Sequence, residues 1–527
     1  MNNQITRLVL FLFICVNTLI SATTGKISGH VTDSESGEPL IGVNIFISNL
    51  GTGAATDIDG YYAILNVRPG KHELRASMIG YAPLVMQNVD VVMGLTSTID
   101  LSMSSEILGM EAVTVISERP IVAKDLSGSQ LNVDSESIQQ WPISSVDAVL
   151  GVQAGVENMQ VRGGSISQTA VMVDGFLSND SRSNAPVTTL SLSSVEEIQV
   201  QSGGFNAEYG NIRSGIVNIV TAEGPADHYS ASFYYQNSPA APKHYGISPY
   251  DEESYFMRPY LDDDVAWTGT GSGGWDAYTQ DQYPNFEGWN SYNNPETGMT
   301  ATAAQQEWIY EHRRTGEITK PDQTLDMGFG GPIPGISKLR FYLSVRNENE
   351  QFIVPLSRDG YSSNSTRLKL NYDLSTNQKL VATMLYSEEH SVNRYNWTTV
   401  PEGNLLRGTY SVANLVTSAG LFTPAYYSPY SVFRGRFDVS YNHMLSSDSY
   451  YEIIIQHGQT QYQTYEMDAR DTTKLEIFPG FYHDESPYGY NSADWMSLGR
   501  DTSHTSSTLL KADYTDQINS SNQIKMG

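Results

Sequence analysis

The chain has 527 residues, enough for several domains, and carries 58 acidic against 31 basic side chains. That balance argues against nucleic acid as a partner; its plainest role is to keep the protein soluble. A single cysteine excludes a disulfide-stapled scaffold and any thiolate zinc site.

The first residues place Arg7 ahead of an apolar run at 8–20 and small residues that suit cleavage after Ala22. This is the layout of a secretory signal peptide, 1–22. Cys15 lies inside the run with Ile14 where a lipoprotein signal needs a small residue, so no lipid anchor is expected. No later apolar stretch reaches the roughly 18 residues of a spanning helix. The mature chain is therefore expected to be exported and not held by helices.

Residues 25–103 show short strands with turn punctuation. Lys26, Ser28 and His30 alternate with Ile27, Gly29 and Val31, as in a half-buried strand. Further strands are predicted at 43–47, 61–65, 72–77, 85–92 and 98–103, separated by SGEP, DIDG, RPG and MGL. The pattern predicts a small β-sandwich. Asp57 and Asp59 precede Gly60 and fit a turn better than a cation site.

A polar linker begins at 104 and runs to 120. Within it Glu111, Ala112, Val113, Thr114, Val115 and Ile116 form a β-branched run with no obvious neighbour. Such a run can add to a partner's sheet edge. It can equally be the last strand of the sandwich or the first of the next module.

In 121–224, Ser145 is placed to cap a short helix through Val149, and VENMQVRGG and QTAVMVDGF read as strands. Asp174 followed by Gly175 is a hairpin-turn signal rather than a catalytic carboxylate. The stretch 196–224 flanks two apolar runs around a loop holding Gly203, Gly204, Tyr209, Gly210 and Arg213, and Gly215 opens the second run. Glycine at that density admits positive φ and close backbone approach.

From 225 onward the rhythm is amphipathic. Leu368, Leu370, Tyr372 and Leu374 alternate with Lys369, Asn371 and Asp373; Phe433, Phe437, Val439 and Tyr441 alternate with Arg434, Arg436, Asp438 and Ser440. A dyad repeat suits transmembrane β-barrel strands and also a soluble sandwich. The connections separate the two: short turns at PIPGIS, STNQ, SSDS and NSSN alternate with long segments near 238–323, 348–363, 391–430 and 466–502. Heavy tyrosine use, 33 residues, fits interfacial girdles. About eight strands are predicted, against about 22 in plugged transporters, which predicts an N-terminal portion of a longer protein.

Catalytic signatures are absent: neither HExxH nor GxSxG occurs, and ten histidines are scattered without ligand spacing. GTGSGG at 269–274 opens no helix after a strand, so it is no nucleotide loop. No enzyme activity, metal or cofactor is expected. The first long loop is the candidate ligand surface, with Trp267, Trp275, Tyr278 and Trp289 as stacking faces. Self-packing of that loop into a compact lid, helped by a helix at 303–314, is the alternative.

Three spaced motifs then carry a resemblance. Arg162 and Gly163 in VRGG, Asp174 and Gly175 in VMVDGF, and Gly203, Gly204, Tyr209, Gly210, Arg213 and Gly215 in the 196–224 stretch resemble, in order, the plug domain of TonB-dependent outer-membrane receptors. GKISGHVTDSESGEPLIGVNIFI, TDIDGYYAI and LRASMIGYAPL resemble the carboxypeptidase regulatory-like domain that precedes the plug in the Oar-like group, and 111–116 looks like a TonB box. The implied fold is mostly β: a sandwich at 25–103, an α+β plug at 121–224 and the first part of a large antiparallel transmembrane barrel at 225–527. The resemblance implies uptake of an extracellular ligand with energy from TonB, ExbB and ExbD, in outer-membrane lipid, with a surface lipoprotein as a further candidate partner. The alternative is a structural or adhesive surface protein on the same scaffold. Arg162 and Arg213 are expected to meet carboxylates on the barrel wall, since a charge in a lumen needs a partner.

Overall fold

The computed structural model describes residues 24–527 except 49, 106–112, 117–129, 158, 204–212, 244–245, 273, 297, 313–317, 354–355, 357, 395–426, 465–475, 479–480, 483–500 and 520–521. Three β-rich units follow one another along the chain.

In the first unit, Gly25–Asp33 is the hub of one sheet. It pairs antiparallel with Tyr61–Val67 and parallel with Thr96–Thr98 and Leu101–Met103. A second sheet runs in the order Gly53–Ala55, Asn44–Ile47, Gly70–Ser77, Leu84–Val91 and Val113–Ile116. Alternate residues from both sheets, among them Ile27, Val31, Ile45, Ile47, Leu74 and Val89, meet in one apolar core, the outcome that a period of two dictates. The final strand is a sequence ambiguity resolved at backbone level. Leu84, Val85, Met86 and Gln87 pair in parallel with Val113, Thr114, Val115 and Ile116, so this segment closes the edge of the sandwich sheet.

The middle unit is a mixed sheet ordered Gln130–Asp134, Val195–Gln201, Gly215–Thr221, Thr169–Val173 and Phe176–Leu177. Helix Ser135–Gln140 is capped by Asp134, whose carboxylate accepts from Ser137 N, and helix Val146–Gly151 by Ser145, which accepts from Ala148 N. Both satisfy orphan donors of a helix start. The central strand Gly215–Thr221 is buried along its whole length, because a strand covered on both faces has no polar side. Gly215 is required there: a Cβ would sit 2.6 Å from the Val161 side chain.

The third unit is a nine-stranded sheet in sequence order: Ser230–Ser238, Asp322–Pro332, Leu339–Gln351, Gly360–Asp373, Gln378–Arg394, Tyr427–Met444, Ser449–Thr464, His504–Asn519 and Asn522–Met526. Every neighbouring pair is antiparallel. Short turns and long connections alternate, so all short turns lie at one end. Along Leu339–Gln351, Arg340, Tyr342, Ser344 and Arg346 are buried on the inner face, whereas Leu343 is exposed on the outer one. Phe233, Phe329, Met384, Phe437, Ile455 and Leu510 are also exposed. An apolar outer face backed by a polar inner face is the pattern of a strand between lipid and a filled lumen. No described helix is long and apolar enough to cross a membrane.

The first unit owns its core, so residues 25–117 produced alone are expected to fold. Ile45→Ala, at a fully buried site, is expected to lower urea stability of that segment by about 2–5 kcal/mol. Ile58→Ala, at an exposed turn, is expected to change it by less than about 0.5 kcal/mol. Equal effects of the two in a denaturation series would contradict the core assignment.

Candidate functional site

The middle unit sits against the inner face of the long-stranded sheet, and charge decides how. Asp174 and Gly175 both have positive φ, 51° and 84°, forming the tight turn that joins Thr169–Val173 to Phe176–Leu177. This turn aims the Asp174 carboxylate outward. It accepts from Thr221 N at 2.9 Å and Thr221 Oγ1 at 2.6 Å, and it pairs with Arg367 and with Lys369 Nζ at 3.5 Å. Arg367 and Lys369 are two apart on one strand and so share its inner face. Burial pushes the Asp174 carboxyl up, but Lys369, Arg367 and the two Thr221 bonds outweigh it and hold the group below its ordinary value.

Two further contacts repeat this logic. Near the long connections, Asp180 accepts from Arg182 N and Ser183 N within its own turn, from Tyr462 Oη at 2.9 Å and from Arg434 Nη2 at 3.4 Å. Arg434 also pairs with Glu389, and Arg182 pairs with Asp501 while lying 4.4 Å over the Tyr462 ring. Midway along the wall the direction reverses. The wall's Asp326 accepts from Ser191 Oγ at 2.6 Å, Leu192 N at 2.9 Å and Ser193 N at 3.2 Å, and Arg346 bridges Asp326 to Ser144 O. Gly328 on the wall is needed for this approach, since a Cβ would lie 2.3 Å from Tyr342 Oη, the hydroxyl that donates to Ser193 O.

At the short-turn end Glu223 follows the central strand and closes the contact. It pairs with Lys379 Nζ at 2.7 Å, Arg68 Nη1 at 3.2 Å and Arg340 Nη2 at 3.8 Å. Burial acts to raise its pKa, and these cations together with Lys369 pull it well below the usual carboxylate range.

The expected arginines are not the ones that make these contacts. Arg162 and Arg213 are exposed, and the principal pairs run from carboxylates of the middle unit to cations of the wall. Arg162 and Gly163 instead make a left-handed turn, φ 51° and 73°, with Arg162 N donating to Gly155 O. The Arg162 guanidinium lies beside Gly203, 3.2 Å from where a Cβ would stand. Arg213 N donates to Gln168 O. Gly204, Tyr209 and Gly210 lie outside the described residues. The wall cations had a sequence signal, because Lys369 and Arg434 occupy the polar phase of the dyad repeat.

The first long connection folds on itself. Trp289 is 2% exposed and donates Nε1–H to Tyr260 O. Tyr260 stacks on Trp308 at 4.4 Å and tilts over Phe286 at 4.7 Å. Trp275 is buried and donates to Asp262, and Arg258 lies 5.2 Å over both the Trp275 and Tyr283 rings. Trp267 packs at the edge of the Trp289 cluster. Only Tyr278 among the four candidate stacking residues is widely exposed, at 77%. Helix Ala301–Glu311, capped by Thr300, forms one wall of this small core; 313–317 lie outside the described residues.

Two expectations follow. Arg367→Ala leaves Asp174 with Lys369 and its two Thr221 bonds, so the loss should stay below the ~3–5 kcal/mol of a buried charge stripped of its partner. A thiol at Val217, fully buried in the central strand, should then become labelled at lower urea; an unmoved labelling midpoint would contradict the seating. In the loop, Trp289→Ala should admit protease within 248–312, whereas Tyr278→Ala should leave cleavage unchanged.

Comparison with known proteins agrees with this architecture. Residues 27–115 match the CarboxypepD_reg-like domain family and residues 114–217 the TonB-dependent receptor plug domain family. The chain is 24% identical to TonB-dependent receptor P39 of Formosa agariphila over 461 residues, covering 82% of this chain and 37% of that protein. It is 23% identical to TonB-dependent transporter Oar of Myxococcus xanthus over 230 residues, covering 40% of this chain and 22% of that one. It thus spans well under half the length of these relatives. Among solved structures, the siderophore receptor PirA of Acinetobacter baumannii aligns at a TM-score of 0.40 with 11% identity, covering 73% of this chain and 45% of that one. The chain thus carries a CarboxypepD_reg-like domain followed directly by a TonB-dependent receptor plug domain, the order in which the two matches run along it, and a long-stranded antiparallel sheet with a polar inner face comes after them.

Proposed function

We propose that this chain belongs to a TonB-dependent outer-membrane receptor, which binds a ligand at the cell surface and imports it into the periplasm with energy delivered through TonB. The observation that carries the reading is the seating of the plug. It is held on the wall by ion pairs and hydrogen bonds at Asp174, Asp180, Asp326 and Glu223, while its own apolar core, including Val133, Val149, Ile198 and Val217, stays internal. Polar seating of that kind can be broken by force and remade without exposing the core.

The proposed TonB contact is 111–116. Val113–Ile116 is the edge strand of the sandwich sheet, and its outer side has no partner strand among the described residues. An edge of this kind accepts an added strand through main-chain hydrogen bonds. Glu111 and Ala112 lie outside the described residues. ExbB and ExbD act in this scheme behind TonB, and a surface lipoprotein partner would sit over the long connections. Tyr278 is the proposed ligand contact that does not also hold the first loop together; Trp267, Trp275 and Trp289 would act through the loop's shape.

Val113→Pro removes an N–H that an augmenting edge must offer. In the full-length receptor, import of the nutrient that gene deletion shows to be lost should disappear, while surface binding of that nutrient and barrel insertion persist. Unchanged import would move the TonB contact elsewhere.

A further inference from the structure

The sandwich does not hang free of the plug. Met93 N donates to Glu197 Oε2 at 3.2 Å and Met93 O accepts from Gln199 Nε2 at 2.8 Å, so the backbone of one unit is bonded to buried side chains of the other. Arg68 meets Glu223 and Lys71 meets Glu136 across the same seam. The sandwich also reaches the short-turn end of the wall through Asn66 to Asn442 at 2.8 Å and Lys26 to Gln517 at 3.3 Å.

Two properties mark this seam as one that opens. The two cores are separate: the sandwich core draws on residues of the sandwich alone, and the plug core on residues of the plug alone. The seam is also imperfectly filled. A cavity of about 530 Å³ lies between Arg68, Lys71, Glu196, Glu223, Asp227 and Arg340, and a second of about 300 Å³ between Asp90, Asp134, Glu136 and Glu197. A contact between two units with separate cores can open without breaking either core.

Glu223 makes the seam matter for the plug. This one carboxylate, just past the plug's central strand, is held at once by the sandwich (Arg68) and by the wall (Lys379, Arg340). Movement of Glu223 relative to the sandwich has to break the Arg68 pair as well as the two wall pairs. The Val113–Ile116 strand is registered on the sandwich over four residue pairs, so a pull applied there loads the sandwich before it loads the plug.

We propose that the sandwich is a clasp that keeps the plug seated and has to open before the plug moves. The proposal rests on the reading that the plug moves during import, and its test needs neither TonB nor a ligand. The full-length receptor in lipid nanodiscs is pulled by single-molecule force spectroscopy through a biotin-acceptor peptide inserted after Ser105. The wild type should show a separate rupture before the plug extends. Arg68→Glu/Lys71→Glu places like charges opposite Glu223 and Glu136, and this early rupture should vanish. Residues 25–527 contain no cysteine; with any cysteine elsewhere in the mature receptor replaced by serine, Lys71→Cys/Glu136→Cys joined by a bis-maleimide gives a locked form, in which the first rupture should shift to clearly higher force. The locked form keeps the test decisive if the charge-reversed protein fails to insert. Plug extension without a preceding rupture in the wild type, or identical traces for wild type and locked receptor, would overturn the clasp. Loss of import in a strain lacking TonB bears on the transport reading alone, so the two fail separately.

Discussion

A charge taken out of water has to be met by an opposite charge or by several hydrogen bonds, and the interior face of this sheet is lined with charge. Arg340, Arg346, Arg367 and Lys369 are nearly inaccessible. Left alone each would be strongly destabilising; paired with groups on the plug they become the means of holding it. Asp174 shows how economically this is arranged. One residue makes the left-handed turn of a hairpin, caps Thr221 of the neighbouring strand and meets two wall cations. The pairs need not add much net stability relative to an apolar interface. What they supply is position, because a buried carboxylate finds its partners in only one seating.

The same constraint explains the division of labour among the three units. The wall is apolar outward and polar inward, as lipid and lumen require, and the plug is apolar only inside. Sandwich and plug each complete a core from their own strands, leaving charged and backbone groups to meet between them. Stability within units is therefore hydrophobic, while the contacts between units are polar. That separation lets a unit move without unfolding. It places Glu223, where sandwich, plug and wall converge, at the point on which the proposed motion turns.

Much of this was legible in the sequence because period-two alternation is a local signal. The sandwich strands, the Ser145 helix cap, the Asp174–Gly175 turn and the alternation of short and long connections all follow from residues close together in the chain. What was not legible depends on distant partners. The last strand of the sandwich sheet looked solitary because its partner, Leu84–Val91, pairs in parallel across a linker and no turn announces such a pairing. The arginines of the plug–wall pairs were misjudged for a related reason. Arg162 and Arg213 were conspicuous within glycine-rich motifs, whereas Arg367 and Lys369 were two polar residues in a repeat. Composition marked the tryptophans of the first loop as surface for a ligand; only the packing of Trp289 under Tyr260 and Phe286 shows that aromatic area there is spent on the loop's own core.

The central claim is that the wall holds the plug through its buried charges. Hydrogen–deuterium exchange of the plug strands Thr169–Val173 and Gly215–Thr221 tests it most directly, comparing the full-length receptor with residues 121–224 produced alone. If wall contacts hold the seating, amides of the strand ends at Val173 and Thr221, beside Asp174, should exchange far more slowly in the receptor than in the separate plug. Equal exchange at those ends in both settings would show that the wall contributes nothing to them and would contradict the account.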